Sequence, residues 1–252
     1  MAKTLTFNDG KYDLDDKDYD KDYDKDFRGR ERRDDRGEKL DLKDEGKGAY
    51  VLSSESEGGI KDLYVQADDN PLTLKIVGDS DSTFEDGSIN FGDDNDTLIV
   101  STKTKDAEIE TEDGDDKLVS NAGFTRLTVD MDEGDDRARF SANDEKFAAK
   151  SSSVDMGEGE DRAVFNGPVK DLTINMGTGQ DDLFFKGDIK TSTVQLGNDG
   201  QRDVIRIADG AKIEGLRIEG AEEGDILYIG NTEYQYNPVD STWVSENDVR
   251  RF

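Results

Sequence analysis

The chain has 252 residues, and its 62 acidic against 33 basic side chains give a formal net charge of −29. It contains no histidine and no cysteine, which excludes Ser-His-Asp or Cys-His catalysis and a typical zinc site within the chain. The charge also argues against nucleic acid as a partner, because phosphates require a basic surface. No apolar run approaches the roughly 18 residues of a transmembrane helix, so we expect no membrane insertion.

The N-terminal region, residues 1–48, is predicted to be an acidic arm. Leu5-Thr6-Phe7, Asn8-Asp9-Gly10 and Lys11-Tyr12 form a strand–turn–strand signal for a hairpin. Residues 15–27 then repeat a D-K-D-Y unit. Arginines in residues 28–36 interrupt the acidic character of the arm. This stretch is either a disordered acidic tail or a segment that becomes ordered on calcium or on a partner. The start, MAKTLTFNDG, lacks the apolar core of a signal peptide.

Residues 49–83 are expected to form the entry cap of a repeat region. Strand-like stretches lie at residues 50–52, 63–65 and 72–77. Leu74 is followed seven residues later by Asp81, so it aligns with the reference position of the repeat described next. The cap is therefore predicted to hold an atypical terminal unit, as solenoids require at their ends.

A repeat of about 20 residues dominates residues 84–230. One unit, residues 171–185, reads DLTINMGTGQDDLFF, which is a strand, a glycine turn, an aspartate and a second strand. With Ile174 as the reference, the equivalent residues are Ile89, Ile109, Val129, Val154, Val194 and Ile218. Alternation with period two on both sides of the turn predicts two short strands in each unit. The fixed period predicts a solenoid whose units, here called rungs, stack like side chains on like.

The predicted fold is therefore an all-β parallel β-solenoid, a β-roll or β-helix, of about seven rungs. Two further core columns are expected. One lies five residues before the reference: Phe84, Thr104, Phe124, Ala149, Val169, Ile189 and Ile213. The other follows the aspartate: Leu98, Leu118, Ala138, Ala163, Leu183, Ile205 and Leu227. Residues 231–252, with an aromatic cluster around Asn237-Pro238, are predicted to form a C-terminal cap over the last rung.

An acid follows the reference position in every rung, and it suggests a row of metal ligands. We call these residues the Asp column: Asp96, Asp116, Asp136, Asp161, Asp181, Asp203 and Asp225. The turns before them supply the other candidate ligands: Gly92, Asp94, Gly114, Gly134, Gly157, Gly159, Gly177, Gly179 and Gly197. Glycine allows backbone carbonyls to aim inward, and calcium takes six to eight hard oxygens. Stacked carboxylates repel unless a cation lies between them. The alternative is a metal-free solenoid with plain Asp-Gly turns.

Two turns, residues 157–163 and 177–183, fit the pattern G-x-G-x-D-x-U, where U is a large or aliphatic residue. Here the chain resembles the repeat-in-toxin (RTX) family of calcium-binding β-rolls. The resemblance implies Ca²⁺ between the turns of successive rungs, bound by the Asp carboxylates and turn carbonyls. The family carries consecutive nonapeptides, whereas this chain has one motif per rung, so we expect five or six ions along one edge only. RTX proteins are also exported independently of a signal peptide.

We expect a noncatalytic, calcium-binding structural protein outside the cell, at its surface or in a matrix or filament. Its solenoid would fold and associate on Ca²⁺, with copies of itself or neighbouring structural subunits as partners and with glycan or cell-surface contact. The alternative is a phage virion protein of the tail or capsid surface. A polysaccharide-acting β-helix enzyme is the third hypothesis. We predict no enzyme, because so regular an array gives no unique pair of carboxylates.

Overall fold

The computed structural model describes residues 3–8, 11–16, 32–33, 39–54, 59–78, 81–143 and 145–252. Most of the D-K-D-Y repeat and of the arginine-containing stretch 28–36 lies outside these residues, so both interpretations of that region stay predictions. Every regular element in the described ranges is a strand. None of these residues belongs to a helix with the length and hydrophobicity needed to cross a membrane.

The strands are short and are numbered in chain order. The first half of the chain contains β1 Lys3–Asn8, β2 Lys11–Asp16, β3 Arg32–Arg33, β4 Lys39–Gly46, β5 Ala49–Ser54, β6 Ile60–Lys61, β7 Leu63–Gln66, β8 Thr73–Val77, β9 Thr83–Glu85, β10 Ser88–Asn90, β11 Thr97–Val100, β12 Lys103–Glu110, β13 Lys117–Ser120 and β14 Phe124–Asp130. The second half contains β15 Arg137–Ser141, β16 Ala149–Asp155, β17 Arg162–Asn166, β18 Val169–Asn175, β19 Asp182–Phe185, β20 Ile189–Lys190, β21 Thr193–Gln195, β22 Val204–Ile207, β23 Ile213–Glu214, β24 Arg217–Glu219, β25 Ile226–Ile229, β26 Thr232–Asn237, β27 Thr242–Val244 and β28 Val249–Arg250.

These strands form two 14-stranded sheets that run along the molecule, and the predicted parallel β-solenoid is confirmed. Sheet A contains β10, β12, β14, β16 and β18, and sheet B contains β11, β13, β15, β17 and β19. The register matches the columns read from the sequence. The reference column pairs in parallel through Val65, Ile89, Ile109, Val129, Val154, Ile174, Val194 and Ile218. Counting these residues gives eight rungs, where about seven were predicted.

Each rung bends sharply in the middle of sheet A. The bend is made by one residue with a left-handed backbone, at φ of about 50°, in a column that starts at Asp62 and includes Asp106, Arg126, Asp171 and Thr191. Left-handed backbone is unfavourable for residues other than glycine, although Asp tolerates it best. The bend lets the strand segments on both of its sides point apolar side chains into one core.

The core is narrow and stacks identical residue types along the solenoid. Phe140, Phe165 and Phe185 are fully buried, and their rings stack with centroids 5.0 and 5.3 Å apart and interplanar angles of 24° and 16°. Phe124 meets Phe140 edge-on at 4.9 Å. Aromatic pairs at these distances add about 0.5–1.5 kcal/mol each beyond their buried area. No single rung could bury these rings, so the rungs stabilise one another.

The alignment of Leu74 with the reference column is wrong. Leu74 pairs with Leu98 in sheet B, and Val65 occupies the reference position of this rung. Seven residues after Val65 comes Leu72, which is buried at the place of the aspartate. Residues 60–77 therefore form a complete rung of the solenoid in which an apolar residue replaces the acid.

Antiparallel strands cover both ends of the solenoid. The predicted N-terminal hairpin forms between β1 and β2, and β1 joins sheet A beside β7. At the other end β25 to β28 continue sheet B as a meander, with the turn predicted at Asn237-Pro238 between β26 and β27. Trp243 and Tyr234 are buried there, as expected for residues that cover a core.

Candidate metal-binding edge

The seven residues of the Asp column are all buried and point into the solenoid beside the glycine turns. Each Oδ1 accepts a hydrogen bond from the backbone N–H of the equivalent residue in the rung before it. The donor–acceptor distance is 2.7 Å from Asp116 to Asp136 and 2.9 Å from Asp161 to Asp181. At the first position Leu72 donates to Asp96 at 2.6 Å. The column thus replaces an amide–carbonyl contact between rungs with an amide–carboxylate contact, which is the stronger kind.

The second carboxylate oxygen has a different environment. Buried Oδ2 atoms without a hydrogen-bond partner belong to Asp96, Asp116, Asp136, Asp161 and Asp181. Asp225 differs, because its Oδ2 accepts the N–H of Glu222 at 2.8 Å while its Oδ1 accepts that of Asp203. A buried polar atom without a partner is costly, and most such atoms in folded proteins are paired. The column therefore presents a row of buried oxygens that a proton or a cation could satisfy.

Burial raises the pKa of every carboxyl group in the column. The pKa of Asp136 rises to about 8 and that of Asp116 to about 6, while burial also raises the pKa of Asp225. The remaining members have a pKa of about 7: Asp96, Asp161, Asp181 and Asp203. Neighbouring carboxylates add to this effect at Asp136 through Asp161 and Asp116. Burial therefore favours the protonated form of these groups, or a bound positive charge, over a bare carboxylate.

The turns beside the column are very tightly stacked. Gly157 and Gly177 have φ of 90° and 81°, and a Cβ on Gly177 would lie 1.6 Å from the carbonyl oxygen of Gly157. Gly114, Gly134, Gly159 and Gly179 likewise have positive φ. Gly92 and Gly197 do not have a positive φ. A Cβ on Gly197 would nevertheless lie 2.1 Å from the carbonyl oxygen of Gly177. Carbonyl oxygens of one turn therefore face the glycines of the next.

Acidic residues occupy some of the turn positions where the backbone conformation favours glycine. Asp94, Glu112 and Asp132 have φ of 100°, 56° and 62°. Left-handed backbone costs roughly 1–2 kcal/mol at residues other than glycine. These three turns keep the same path as the glycine turns despite that strain. Their side chains add carboxylates to the edge.

A further row of acids lies on the outside of the same turns. The N–H of Asp135 donates to Oδ1 of Asp115 at 3.1 Å, and that of Glu160 donates to Oδ1 of Asp135 at 2.9 Å. These side chains border an open groove of about 660 Å³, whose acidic lining is Asp115, Glu133, Asp135, Glu158, Glu160 and Asp199. This row was not predicted, because the buried aspartate one residue later marks the same turn. The turn formulas DGDD, EGDD and GEGED already contained it.

A separate acidic group lies at the bend of sheet A, where Glu85, Asp86 and Asp106 come together. Basic side chains already neutralise it. Hydrogen bonds from Lys105 and Lys61 lower the pKa of Glu85, and a hydrogen bond from Arg126 lowers that of Asp106 to about 2. Glu85 and Asp106 stay charged by pairing with cations of the chain, whereas the Asp column has no such partner among the described residues.

Among the described residues, only Glu85, Asp86 and Asp106 bring three acidic ligand atoms within 4.8 Å of one another, so a cation beside the Asp column would need turn carbonyls as well as carboxylates. All donors beside the Asp column are oxygens: its free Oδ2 atoms and the backbone carbonyls of the turns. Calcium takes six to eight oxygen ligands with flexible geometry, whereas magnesium requires a near-ideal octahedron. Nitrogen and sulfur ligands for zinc do not exist in a chain without histidine and cysteine.

Comparisons of the chain with protein-family models, curated proteins and solved structures return no match. The resemblance to the RTX family therefore stays a prediction that rests on the turns at residues 157–163 and 177–183.

Proposed function

We propose that this chain is a noncatalytic, calcium-binding structural protein of the extracellular space, and that its solenoid is stabilised by Ca²⁺ and associates with copies of itself. The observation that carries the proposal is the row of buried Oδ2 atoms in the Asp column, five of which have no hydrogen-bond partner. An array that repeats once per rung suits a scaffold, because each rung contributes the same contact to its neighbours.

The energetic cost of ionising this row supports a bound cation. An aspartate with a pKa of about 7 in the folded state and about 3.9 in the unfolded state destabilises the fold at pH 7. Relative to a side chain that is neutral in both states, it lowers the free energy of unfolding by about 4 kcal/mol. Four members of the column have this pKa. Their combined cost reaches the whole stability of a typical domain, about 5–15 kcal/mol. A bound cation removes the cost by pairing with the ionised form.

Calcium availability supports the extracellular location. Calcium modules outside the cell work at affinities of about 10⁻⁴–10⁻³ M, which only millimolar calcium can fill. Binding to the folded state alone stabilises it by about 2.7 kcal/mol per site at a hundredfold excess over the dissociation constant. Several sites in one column would make folding depend strongly on calcium. A chain of charge −29 also gains from counterions, because its own charges repel.

The experiment is far-UV circular dichroism of chelator-dialysed protein during titration with Ca²⁺, followed by light scattering of the same sample. We expect β-sheet signal to rise with Ca²⁺ and not with equal Mg²⁺, and scattering to rise afterwards. The variant Asp161→Asn removes a buried carboxylate, and Glu160→Gln removes the exposed one beside it as the matched control. Asp161→Asn should weaken calcium binding, and Glu160→Gln should leave it near that of the parent protein. A chain that is fully folded in chelator at pH 7 and unaffected by Ca²⁺ would contradict the proposal.

A further inference from the structure

The outer face of sheet B is basic although the chain as a whole is strongly acidic. Lys117, Arg137 and Arg162 occupy one outward column on successive rungs, and all three are exposed. Arg139 and Arg206 lie in the next outward column. We call these five residues the basic face. In a chain with 62 acidic and 33 basic residues, a random distribution would not place so many positive charges together on one face.

Apolar side chains lie between the cations of the basic face. Val119 points outward yet is only 7% exposed. Val164 and Phe184 are partly buried on the same outward column. Long basic side chains cover apolar surface with their stems and keep their charges in water. The face thus combines buried or partly buried apolar side chains with exposed charged groups around them.

Most of these cations have no acidic partner within the described part of the chain. Arg162 and Arg206 share Asp182. Lys117, Arg137 and Arg139 form no ion pair with any described residue, and Arg139 only donates to the Asn121 side chain at 3.3 Å. In a protein this acidic, three unpaired cations side by side are available to an external anion.

The complementary surface lies on the same rungs. Asp115, Asp135 and Glu160 are exposed at the outer edge of the glycine turns, with Glu133 and Glu158 beside them. We call these five residues the acidic edge. The rungs that carry Lys117, Arg137 and Arg162 therefore also carry the acidic edge, on a different side of the solenoid.

We infer that the basic face of one copy docks on the acidic edge of a second copy, with the two solenoid axes side by side. Both surfaces repeat at the strand spacing of about 4.8 Å, so each cation of one copy meets an acid of the other in the same register. Opposite potentials favour this pairing, and face-on-face or edge-on-edge contacts are repelled. The contact joins two different patches, so it is heterologous and builds either a ring or an open filament of many copies. The inference rests on the self-association proposed above but not on the calcium sites.

A charge-swap experiment tests it. Arg137→Glu with Arg139→Glu reverses the basic face, and Glu133→Lys with Glu160→Lys reverses the acidic edge. Lys170→Glu with Lys190→Glu makes the same charge change as the first variant on sheet A and is its control. Sedimentation velocity is measured in Ca²⁺ after circular dichroism has confirmed folding. We expect either reversal alone to weaken association at least about tenfold, and an equal mixture of the two variants to restore it. Association should also fall with salt, because the Debye length shrinks from about 30 Å at 0.01 M to 3 Å at 1 M.

The outcomes separate this inference from the calcium proposal. A folded parent protein that stays monomeric at low salt overturns the inference, whatever its calcium response. So does a mixture that fails to restore association, or a control that loses as much as the basic-face variant. Binding of the monomeric parent to a sulfated polysaccharide, lost in the basic-face variant, would assign the face to a different polyanion and overturn the inference. Charge-dependent assembly without any calcium response would sustain it and refute the calcium proposal.

Discussion

Replacing Asp136 by Asn should change stability in opposite directions with and without calcium. Asn has the same shape, and its Oδ1 can still accept the N–H of Asp116, which lies 2.7 Å away in the parent protein. The substitution removes the ability to ionise and replaces the unpaired Oδ2 acceptor by an amide NH2 donor. In chelator the variant should be more stable than the parent at pH 7. In Ca²⁺ it should be less stable, because the ion loses a charged ligand.

The magnitude follows from the pKa of Asp136, which burial raises to about 8. Because the folded-state pKa is raised above the unfolded one, stability is fully present below about pH 4 and is lost as the pH rises towards 8. At pH 7 the loss is about 4 kcal/mol relative to a neutral side chain. Asp136→Asn should therefore gain up to about 4 kcal/mol in chelator at pH 7 and almost nothing at pH 4.

The assay is urea unfolding followed by far-UV circular dichroism, in chelator at several pH values between 4 and 8 and in Ca²⁺ at pH 7. The matched control is Asp135→Asn, which makes the same charge change one residue earlier on an exposed side chain. The control removes the general effect of net charge, so only the difference between the two variants reports burial. A parent protein with constant stability from pH 4 to pH 8 in chelator would refute the reasoning. So would identical responses of the two variants.

Other consequences follow from the packing and the turns. Phe165→Ala removes the middle ring of a fully buried stack and should lower the free energy of unfolding in Ca²⁺ by about 3–5 kcal/mol, whereas Phe184→Ala on the partly exposed outer column of the next rung should lower it by much less. Gly177→Ala should destabilise more than Gly200→Ala in the same urea assay: both glycines have φ near 80°, but only at Gly177 would the Cβ meet a neighbouring carbonyl oxygen, and strain alone costs about 1–2 kcal/mol. Equal losses at the two glycines would show that the stacked turns can move apart.

Much of the fold could be predicted because each rung makes the same contacts, so the same residue types recur in the sequence with the period of a rung. The columns that contain Ile174 and Leu183 pair in the register that the sequence predicts, since each rung repeats the same burial pattern. The rung at residues 60–77 was predicted in the wrong register because the aspartate served as the marker, and Leu72 stands in its place. Val65 and Leu72 keep the spacing of seven, so a search on apolar positions alone would have given the right register.

The bend of sheet A could not be predicted. It needs only one residue with positive φ per rung, and Arg126, Ser151 and Thr191 adopt this conformation as well as Asp residues. Tertiary contacts impose the positive φ against the conformational preference of the residue. No residue type therefore marks the bend in the sequence. The environment of the Asp column was likewise hidden. Periodicity placed the aspartates in phase, but only the three-dimensional register shows that Oδ1 bonds to the neighbouring rung and that Oδ2 stays free.

The two ends of the Asp column indicate how such a costly array is limited. At the N-terminal end the column stops at Leu72, an apolar residue whose N–H still satisfies Asp96. At the C-terminal end Asp225 accepts two backbone N–H groups, so neither of its oxygens is left without a partner. The free buried oxygens therefore lie only on interior rungs, where each has a neighbour on both sides. An ion bound there would contact successive rungs at once, and its binding free energy would act directly on the stacking of the solenoid.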